Sequence, residues 1–272
     1  MRHPKRSKRP VAKPQGRLPE QRIHGLHACL AVFAKRPGDL RKVYLAQERL
    51  DALRPVLAYC AERRLGYRIV APEELERLAS SHHHEGVVFE VVQRAPLGLA
   101  ELLSRKTKPS SPSLLLWLDG IANPHNFGAL LRTAANFGAD GVLLPADSKL
   151  DRSGAAARVA RGGAEAVPIA RIDDPKAALE TLRRAGYAVA VTTPRGGSDL
   201  YATELPARLA VVFGAEDEGV QRRLVEASDL RIRIPGTGEV ESLNVAASVA
   251  VMSGEWWRQR RRRKGGSTGR GR

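Results

Sequence analysis

The sequence lacks features that several large classes of protein require. Its 272 residues include only two cysteines, Cys29 and Cys60, which are too few for a disulfide framework or a multi-cysteine zinc site. The longest apolar stretches, such as Leu114–Leu118, are far shorter than the roughly 20 residues that cross a bilayer. No apolar segment follows the basic N-terminus. We therefore expect neither a secretory signal nor a membrane helix, and a cytoplasmic protein.

Three common catalytic signatures are also missing. No G-x-G-x-x-G follows a strand, no G-x-x-x-x-G-K-[ST] is present, and no G-x-S-x-G elbow follows a strand, since the one match to that spacing, at residues 265–269, lies in the basic C-terminal segment. These absences argue against the usual dinucleotide-binding, P-loop and serine-hydrolase sites. His82, His83 and His84 form a run, but consecutive side chains point in different directions and no matching ligand spacing accompanies them. We therefore predict no metal site.

The positive charge is concentrated at the two ends of the chain. The formal net charge is +16, from 45 basic and 29 acidic residues. Residues 1–19 hold seven basic side chains and residues 258–272 hold eight, with no acid in either segment. Removing these fifteen leaves 30 basic residues against 29 acidic ones in positions 20–257. Such segments favour disordered basic tails that contact the phosphates of a nucleic acid, of a kind that charge does not specify, or tails that only aid solubility.

The patterning predicts two α/β units separated by a linker. Residues 20–93 alternate short strands and helices, and residues 94–113 mix a short helical stretch with a Lys/Pro/Ser run typical of a domain boundary. Residues 114–257 repeat a strand–helix rhythm. Strands are predicted there at Leu114–Leu118, Val142–Leu144, Val167–Ala170, Ala188–Val191, Leu209–Phe213 and Leu230–Ile232, and helices at Gly128–Phe137, Gly154–Arg161, Pro175–Ala185, Val220–Ala227 and Leu243–Trp257.

Apolar strands that alternate with helices predict a parallel sheet covered on both faces. Ligands of such sheets bind beyond the carboxyl ends of the strands. The loops that follow the strands are therefore the places to search for function, and three of them stand out.

The first loop is DGIANPHNFGALLRTA, residues 119–134. Asn126 is predicted to cap a helix, and Gly128 would let another backbone approach closely. Arg132 follows six residues later, where its guanidinium could hold a phosphate or order a sugar hydroxyl. An ordinary strand–turn–helix with a surface arginine would have the same sequence.

The second loop is VVFGAEDEG, residues 211–219. A buried strand runs directly into Gly214, and an acidic group that includes Glu216 follows it. Two glycines around acidic residues suggest a backbone that approaches a ligand. An acidic helix start stabilised by the helix dipole is the alternative.

The third loop is IPGTGEVESLNVAA, residues 234–247. Ser242 is a plausible N-cap, and Asn244 is a polar residue in the first turn of an apolar helix. A buried polar side chain needs a partner, so a ligand or a facing loop is expected beside Asn244. A self-capping helix start is the alternative.

Taken together and in this order, NFGALLRTA, FGAEDEG and IPGTGEVESLNV resemble the three motifs of the SpoU (TrmH-type) RNA 2′-O-ribose methyltransferases of the SPOUT superfamily. The resemblance covers residues 114–257. Ile23-His24-Gly25 and His84-Glu85-Gly86-Val87-Val88 resemble the small substrate-binding domain, shaped like ribosomal protein L30e, that precedes the catalytic domain in several members.

The resemblance implies a parallel sheet with a C-terminal trefoil knot, S-adenosylmethionine as methyl donor, RNA (tRNA or rRNA) as substrate, and a homodimer with its active site close to the interface. The residues implied at the donor are Gly214, Ile234 and Leu243, with Thr192 and Thr193 nearby. The family's functional positions fall on Asn126, Arg132, Glu216, Ser242 and Asn244. One departure is Gly236, which stands after Ile-Pro where the family usually has Met.

For the reaction we expect Arg132 to orient the ribose and its phosphate and to stabilise the developing alkoxide. A guanidinium stays protonated, so it is a poor base. Asn126 would fix this arginine or the hydroxyl, and Glu216 and Asn244 would hold the loops together. Two alternatives remain open from the sequence: a non-catalytic knotted RNA-binding protein that assists ribosome assembly, and a methyltransferase that modifies a base nitrogen.

Overall fold

The computed structural model describes residues 18–105, 111–150, 154–215 and 217–265. Its first unit is a four-stranded sheet in the order β1-β4-β2-β3, in which β4 runs antiparallel to β1 and β2, and β2 and β3 are parallel. The elements are β1 (Glu20–His24), α1 (Leu26–Lys35), β2 (Leu40–Leu45), α2 (Arg54–Arg63), β3 (Gly66–Ile69), α3 (Pro72–Ala79) and β4 (Val87–Val92).

The second unit is built on an eight-stranded sheet whose neighbouring strands are all parallel. The strand order is β10-β12-β9-β11-β6-β7-β8-β5. The strands are β5 (Leu97–Gly98), β6 (Ser113–Leu118), β7 (Gly141–Pro145), β8 (Ile169–Ile172), β9 (Ala188–Thr192), β10 (Ser198–Asp199), β11 (Arg208–Phe213) and β12 (Leu230–Arg233). The predicted α/β class with a parallel sheet is confirmed, and each of the six predicted strands overlaps an observed one.

Helices cover both faces of this sheet, as the apolar strands require. They are α4 (Leu99–Ser104), α5 (Pro124–Asn136), α6 (Gly154–Ala160), α7 (Gly163–Ala166), α8 (Pro175–Arg184), α9 (Arg222–Glu226) and α10 (Val245–Gly265). Along β6, Leu114 and Leu116 face a core shared with α5, α6 and α10, whereas Leu115 and Trp117 face a core shared with α4, α8 and α9. None of the described helices is long and apolar enough to span a membrane.

The structure changes two of the predicted boundaries. Residues 97–104 of the predicted linker form β5 and α4, and β5 extends the large sheet by pairing with β8. At the other end, α10 continues through Arg258 to Gly265, into the predicted tail. The Arg260 side chain is buried and donates to the backbone oxygen of Leu205. Residues 1–17 and 266–272 of the two tails lie outside the described residues.

A single apolar cluster joins the two units. It runs from Ile23 and Val32 of the small domain to Ala157, Ala160 and Ala164 beneath the large sheet. The small domain therefore packs against α6 and α7 through a continuous apolar core.

An ion pair lies inside this interface. The Arg36 Nε and Nη2 atoms donate to the two carboxylate oxygens of Glu165 at 2.8 and 2.9 Å. The Arg36 and Glu165 side chains are 1% and 8% exposed. Arg36 Nη1 also donates to the Val92 backbone oxygen at 2.8 Å and to Asp39 at 3.2 Å. The guanidinium thus ties the end of β4 to α7.

His24 is a second polar group buried between the domains. Burial and the neighbouring Arg158 guanidinium lower the pKa of His24 to about 4. The imidazole is therefore neutral at neutral pH, in the form that is less costly to bury.

Candidate functional site

Four strands end together at one edge of the large sheet. Leu118 is in register with Phe213, and Thr192 is in register with Ile232. Because β6, β11, β9 and β12 are parallel neighbours, their carboxyl ends meet there. All three loops selected from the sequence begin at this edge, where parallel sheets bind ligands.

A buried carboxylate connects the first loop to the second. The two carboxylate oxygens of Asp119 accept from the backbone nitrogen of Gln221 at 2.9 Å and from its Nε2 at 2.8 Å. The Asp119 backbone nitrogen donates to the Phe213 oxygen at 2.8 Å. Sequence reasoning missed Gln221. An aspartate directly after a buried strand needs hydrogen-bond donors, so Asp119 by itself predicts that donors from another loop lie beside it.

Gly214 is required by the fold of the second loop itself. A Cβ atom placed on Gly214 would lie 2.0 Å from the carbonyl carbon of Gly219 and 2.2 Å from the nitrogen of Val220. The loop turns back on itself, and the Gly219 nitrogen donates to the Ala215 oxygen at 2.9 Å. The glycine was predicted to let a ligand approach; in the structure the following turn occupies that space. Glu216 lies outside the described residues.

Two asparagines join the first loop to the third. The Asn244 Nδ2 donates to the Asn126 Oδ1 at 3.3 Å. The facing loop expected beside Asn244 is therefore present, although Asn244 is exposed at the surface and not buried. The two residues are 118 positions apart in the chain, so the fold brings together motifs that the sequence keeps separate.

Both predicted helix caps are wrong. Asn123 caps α5, since its Oδ1 accepts from the backbone nitrogen of His125 at 2.9 Å, while Asn126 already lies inside the helix. Pro124 explains the start, because proline suits the first position of a helix. Asn244 takes the place predicted for Ser242, and its Oδ1 accepts from the Ala246 nitrogen at 2.8 Å.

The remaining residues of the predicted donor site lie at the same edge of the sheet. The Thr192 hydroxyl donates to the Val212 oxygen at 3.1 Å, and the Thr193 nitrogen donates to the Ile232 oxygen at 3.0 Å. Ile234 is half-buried just beyond β12. Leu243 is 44% exposed, which is unusual for a large apolar side chain, and Ser242 is exposed beside it.

Arg132 lies apart from these loops. It is exposed on α5, six residues after Asn126, which corresponds to about 9 Å along the helix axis and a third of a turn around it. It lines a groove of about 580 Å³ between α5 and the α6–α7 connection, and the other described residues lining this groove also come from the segments around these three helices. The structure therefore unites Asn126 with Asn244, and it does not bring Arg132 into their contact.

Sequence comparison with protein families decides which family this site belongs to. The model described as SpoU rRNA Methylase family matches residues 113–254, which hold all three loops. This chain belongs to the SpoU family. A second model, described as RNA 2′-O ribose methyltransferase substrate binding, matches residues 22–97 of this SpoU protein.

Curated relatives match along nearly all of the SpoU chain. The protein named Uncharacterized tRNA/rRNA methyltransferase YfiF of Escherichia coli O157:H7 is 36% identical over 243 residues, which are 89% of this chain and 69% of the relative. The 23S rRNA (guanosine-2′-O-)-methyltransferase RlmB of Haemophilus ducreyi is 33% identical over 245 residues, 88% of this chain and 98% of the relative.

A solved structure shares the architecture. The SpoU methyltransferase AviRb from Streptomyces viridochromogenes, crystallised in complex with AdoMet, superposes with a TM-score of 0.74 and 21% identity. The superposition covers 89% of this chain and 90% of AviRb. At this identity the likeness establishes the two-domain fold.

Proposed function

We propose that this SpoU protein transfers a methyl group from S-adenosylmethionine to a ribose 2′-hydroxyl of RNA. Family membership gives the class of reaction. The observation that carries the proposal for this chain is the contact between Asn126 and Asn244, because it joins two of the three family motifs at the ligand-binding edge of the sheet. By analogy with the H. ducreyi relative, ribosomal RNA is the first substrate to test.

The residues at the sheet edge suit such a donor. The exposed Leu243 offers an apolar surface, and nothing in the described structure lies within 4 Å of a Cβ atom placed on Gly236 or Gly238. Backbone groups of this glycine-rich segment are therefore accessible to a ligand. We assign Gly214, Ile234 and Leu243 to holding the donor, with Thr192 and Thr193 at the base of the donor site. Gly236, where the family usually has Met, leaves this side of the site more open.

The protein's part in the reaction is to orient the sugar oxygen and to stabilise its charge. When bound, the donor supplies an electrophilic methyl group on a sulfonium. Arg132 binds the ribose and its phosphate and stabilises the alkoxide that develops as the hydroxyl proton passes to solvent water. Asn126 and Asn244 keep the first and third loops together, with Ser242 beside them and Glu216 assigned to the same role. Alignment of the two reacting groups contributes several kcal/mol, by the usual effect of proximity.

We infer a homodimer from the separation between Arg132 and the donor loops. Arg132 and the Asn126–Asn244 contact lie on different sides of α5. A second copy can place its own Arg132 opposite the donor loops of the first, which would complete two equivalent sites. The exposed side chain of Val240 provides apolar surface for this contact.

We also propose a trefoil knot around the donor site and a cytoplasmic location. In support of the knot, the chain passes beyond β9 after β11 to form β12, and α10 then returns to α5. The Trp256 Nε1 atom donates to the Pro206 oxygen at 3.1 Å, so α10 lies against the segment that precedes β11. Few cysteines and an RNA substrate favour the cytoplasm.

Methyl transfer can be tested directly with the full chain. We expect the purified protein to transfer labelled methyl from S-adenosylmethionine to a 23S rRNA transcript, and digestion to nucleosides to place the label on a 2′-oxygen. A transcript with a 2′-deoxynucleotide at the mapped position is the control and should accept no label. Label on a base nitrogen, or donor binding without transfer to any cellular RNA, would contradict the proposal.

Gly214→Ala is expected to weaken donor binding at least about tenfold, since the added Cβ would displace the turn at Gly219. Overpacking of this kind also lowers the free energy of unfolding by about 1–3 kcal/mol. Calorimetric titration and urea denaturation measure the two effects. Gly98→Ala is the matched control, because nothing lies within 4 Å of its added atom. Donor affinity equal to that of the unaltered protein would remove Gly214 from the site.

A further inference from the structure

The groove beside Arg132 has a chemical character of its own. We call it the α5–α7 groove, and its polar and aromatic lining comprises Arg132, Thr133, Asn136, Phe137 and Arg161. No acidic side chain is among the described residues that line it. Its volume of about 580 Å³ is within the usual range for ligand pockets, about 300–1,000 Å³.

Both guanidiniums of the groove are available to a ligand. Arg132 and Arg161 are exposed, and within the described ranges neither side chain has a hydrogen bond or an ion pair. Some arginines elsewhere on the surface are paired with carboxylates, as Arg183 is with Asp229 at 2.9 Å and Arg222 is with Glu226 at 2.7 Å. Two unpaired guanidiniums on one groove form a site for an anion, and the guanidinium fork matches phosphate oxygens.

The backbone holds these two arginines in a fixed relation. Gly163 packs directly on the turn that carries Arg132, so that a Cβ on Gly163 would lie 2.6 Å from the Leu131 oxygen and 2.8 Å from the Arg132 Cα. Arg161 adopts a left-handed conformation, with φ of 46°, two residues before Gly163. Arg64 and Ser80 take the same conformation at the ends of α2 and α3, so it marks the end of α6 here.

An aromatic wall continues from the groove. The Phe137 ring meets the Trp257 ring edge-to-face, with centroids 6.3 Å apart. Trp257 is 40% exposed, and the Arg261 guanidinium lies 4.8 Å from its ring centroid. Exposed aromatic rings beside cations are the surfaces on which nucleic acid bases stack.

We propose that the α5–α7 groove binds the RNA strand next to the modified nucleotide, with Arg161 holding a phosphodiester and the Phe137–Trp257 wall contacting a flanking base. The inference rests on the proposed function, since it takes Arg132 as the residue that meets the target ribose. Arg161 is then a binding residue whose role is to seat the strand, and it takes no part in the transfer step.

The experiment compares RNA binding and methyl transfer by Arg161→Gln, Arg161→Lys and the unaltered protein. Glutamine removes the charge and keeps an unbranched stem, so the cost of the left-handed backbone is unchanged. Arg184→Gln is the control, because Arg184 is an exposed arginine on α8, which covers the other face of the sheet. RNA affinity is measured without donor over a range of salt concentrations.

We expect Arg161→Gln to bind RNA roughly 3- to 10-fold more weakly at moderate salt and to lower the slope of log affinity against log salt by about 0.7–0.9, the loss of one phosphate contact. In the same variant, KM for RNA should rise by a similar factor, with kcat and donor affinity unchanged. Arg161→Lys should restore the slope. Arg184→Gln should alter neither the slope nor KM for RNA.

An unchanged slope in an active Arg161→Gln protein overturns the inference and leaves the proposed function standing. The inference is also overturned if Arg161→Gln changes the sedimentation mass of the protein and leaves the slope unchanged, because the groove is then a contact between copies of the chain. If the slope falls but the unaltered protein methylates no RNA, the groove binds RNA and the proposed function fails instead.

Discussion

Arg132→Ala is expected to lower kcat for RNA methylation by about a hundred- to a thousandfold while leaving donor affinity nearly unchanged. The side chain is exposed on α5 and lines a groove whose described lining includes no residue of the loops assigned to the donor, so its loss removes stabilisation of the alkoxide without disturbing the donor site. Removing one such stabilising donor typically costs this much in other enzymes. Single-turnover transfer of labelled methyl and calorimetric titration of the donor measure the two quantities.

Arg132→Lys serves as the stringent companion variant. A lysine keeps the positive charge but loses the planar fork that binds two oxygens at once, so it should also fail to restore transfer. Arg184→Gln, which removes an arginine from the other face of the sheet, should retain full activity. Transfer by Arg132→Ala at a rate comparable to that of the unaltered protein would show that another residue stabilises the oxygen.

Glu165→Ala is expected to reduce the free energy of unfolding by about 3–5 kcal/mol, the usual cost of leaving one buried charge without its partner. Arg36 would keep its hydrogen bonds to Val92 and Asp39 but would lose both bonds to the Glu165 carboxylate. Urea denaturation at neutral pH measures the loss. Methylation should fall as well, because α7 supports the backbone of Arg132.

The double variant Arg36→Met/Glu165→Leu separates the charge from the packing. Replacing a buried ion pair by apolar side chains of similar volume is often neutral or stabilising, so stability should return close to that of the unaltered protein. A Glu165→Ala protein as stable as the original would mean that the ion pair contributes nothing to holding the domains together.

The strands of the large sheet, and the burial of both their sides, could be predicted because they depend on the local pattern of apolar residues. Leu114–Leu118 and Leu209–Phe213 are apolar on both sides, as central parallel strands must be. β1 was not predicted, since in Glu20–His24 only the last two residues are buried and the strand depends on pairing with β4. In the segment 97–104 the short helical stretch corresponds to α4, but β5 was missed for a similar reason: it has two residues and forms only by pairing with β8.

In the candidate site, too, the local features could be predicted and the contacts between distant segments could not. The three loops could be selected because each follows a strand and carries a family motif. The bond between Asn126 and Asn244 joins positions 118 residues apart, and no local pattern specifies its geometry. The caps were misplaced by up to three positions because Asn123 and Asn126 are equally good capping residues, and Pro124 decides between them.

The shared core of the two domains has a consequence for how a target is chosen. Since Ile23, Val32 and the Arg36–Glu165 pair are buried against the helices that carry the large sheet, we expect the two domains to keep a fixed spacing when RNA binds. Any bending needed to present a nucleotide must then come from the RNA. Selectivity would then depend on the free energy needed to deform a given stretch of RNA to that spacing, as much as on its base sequence.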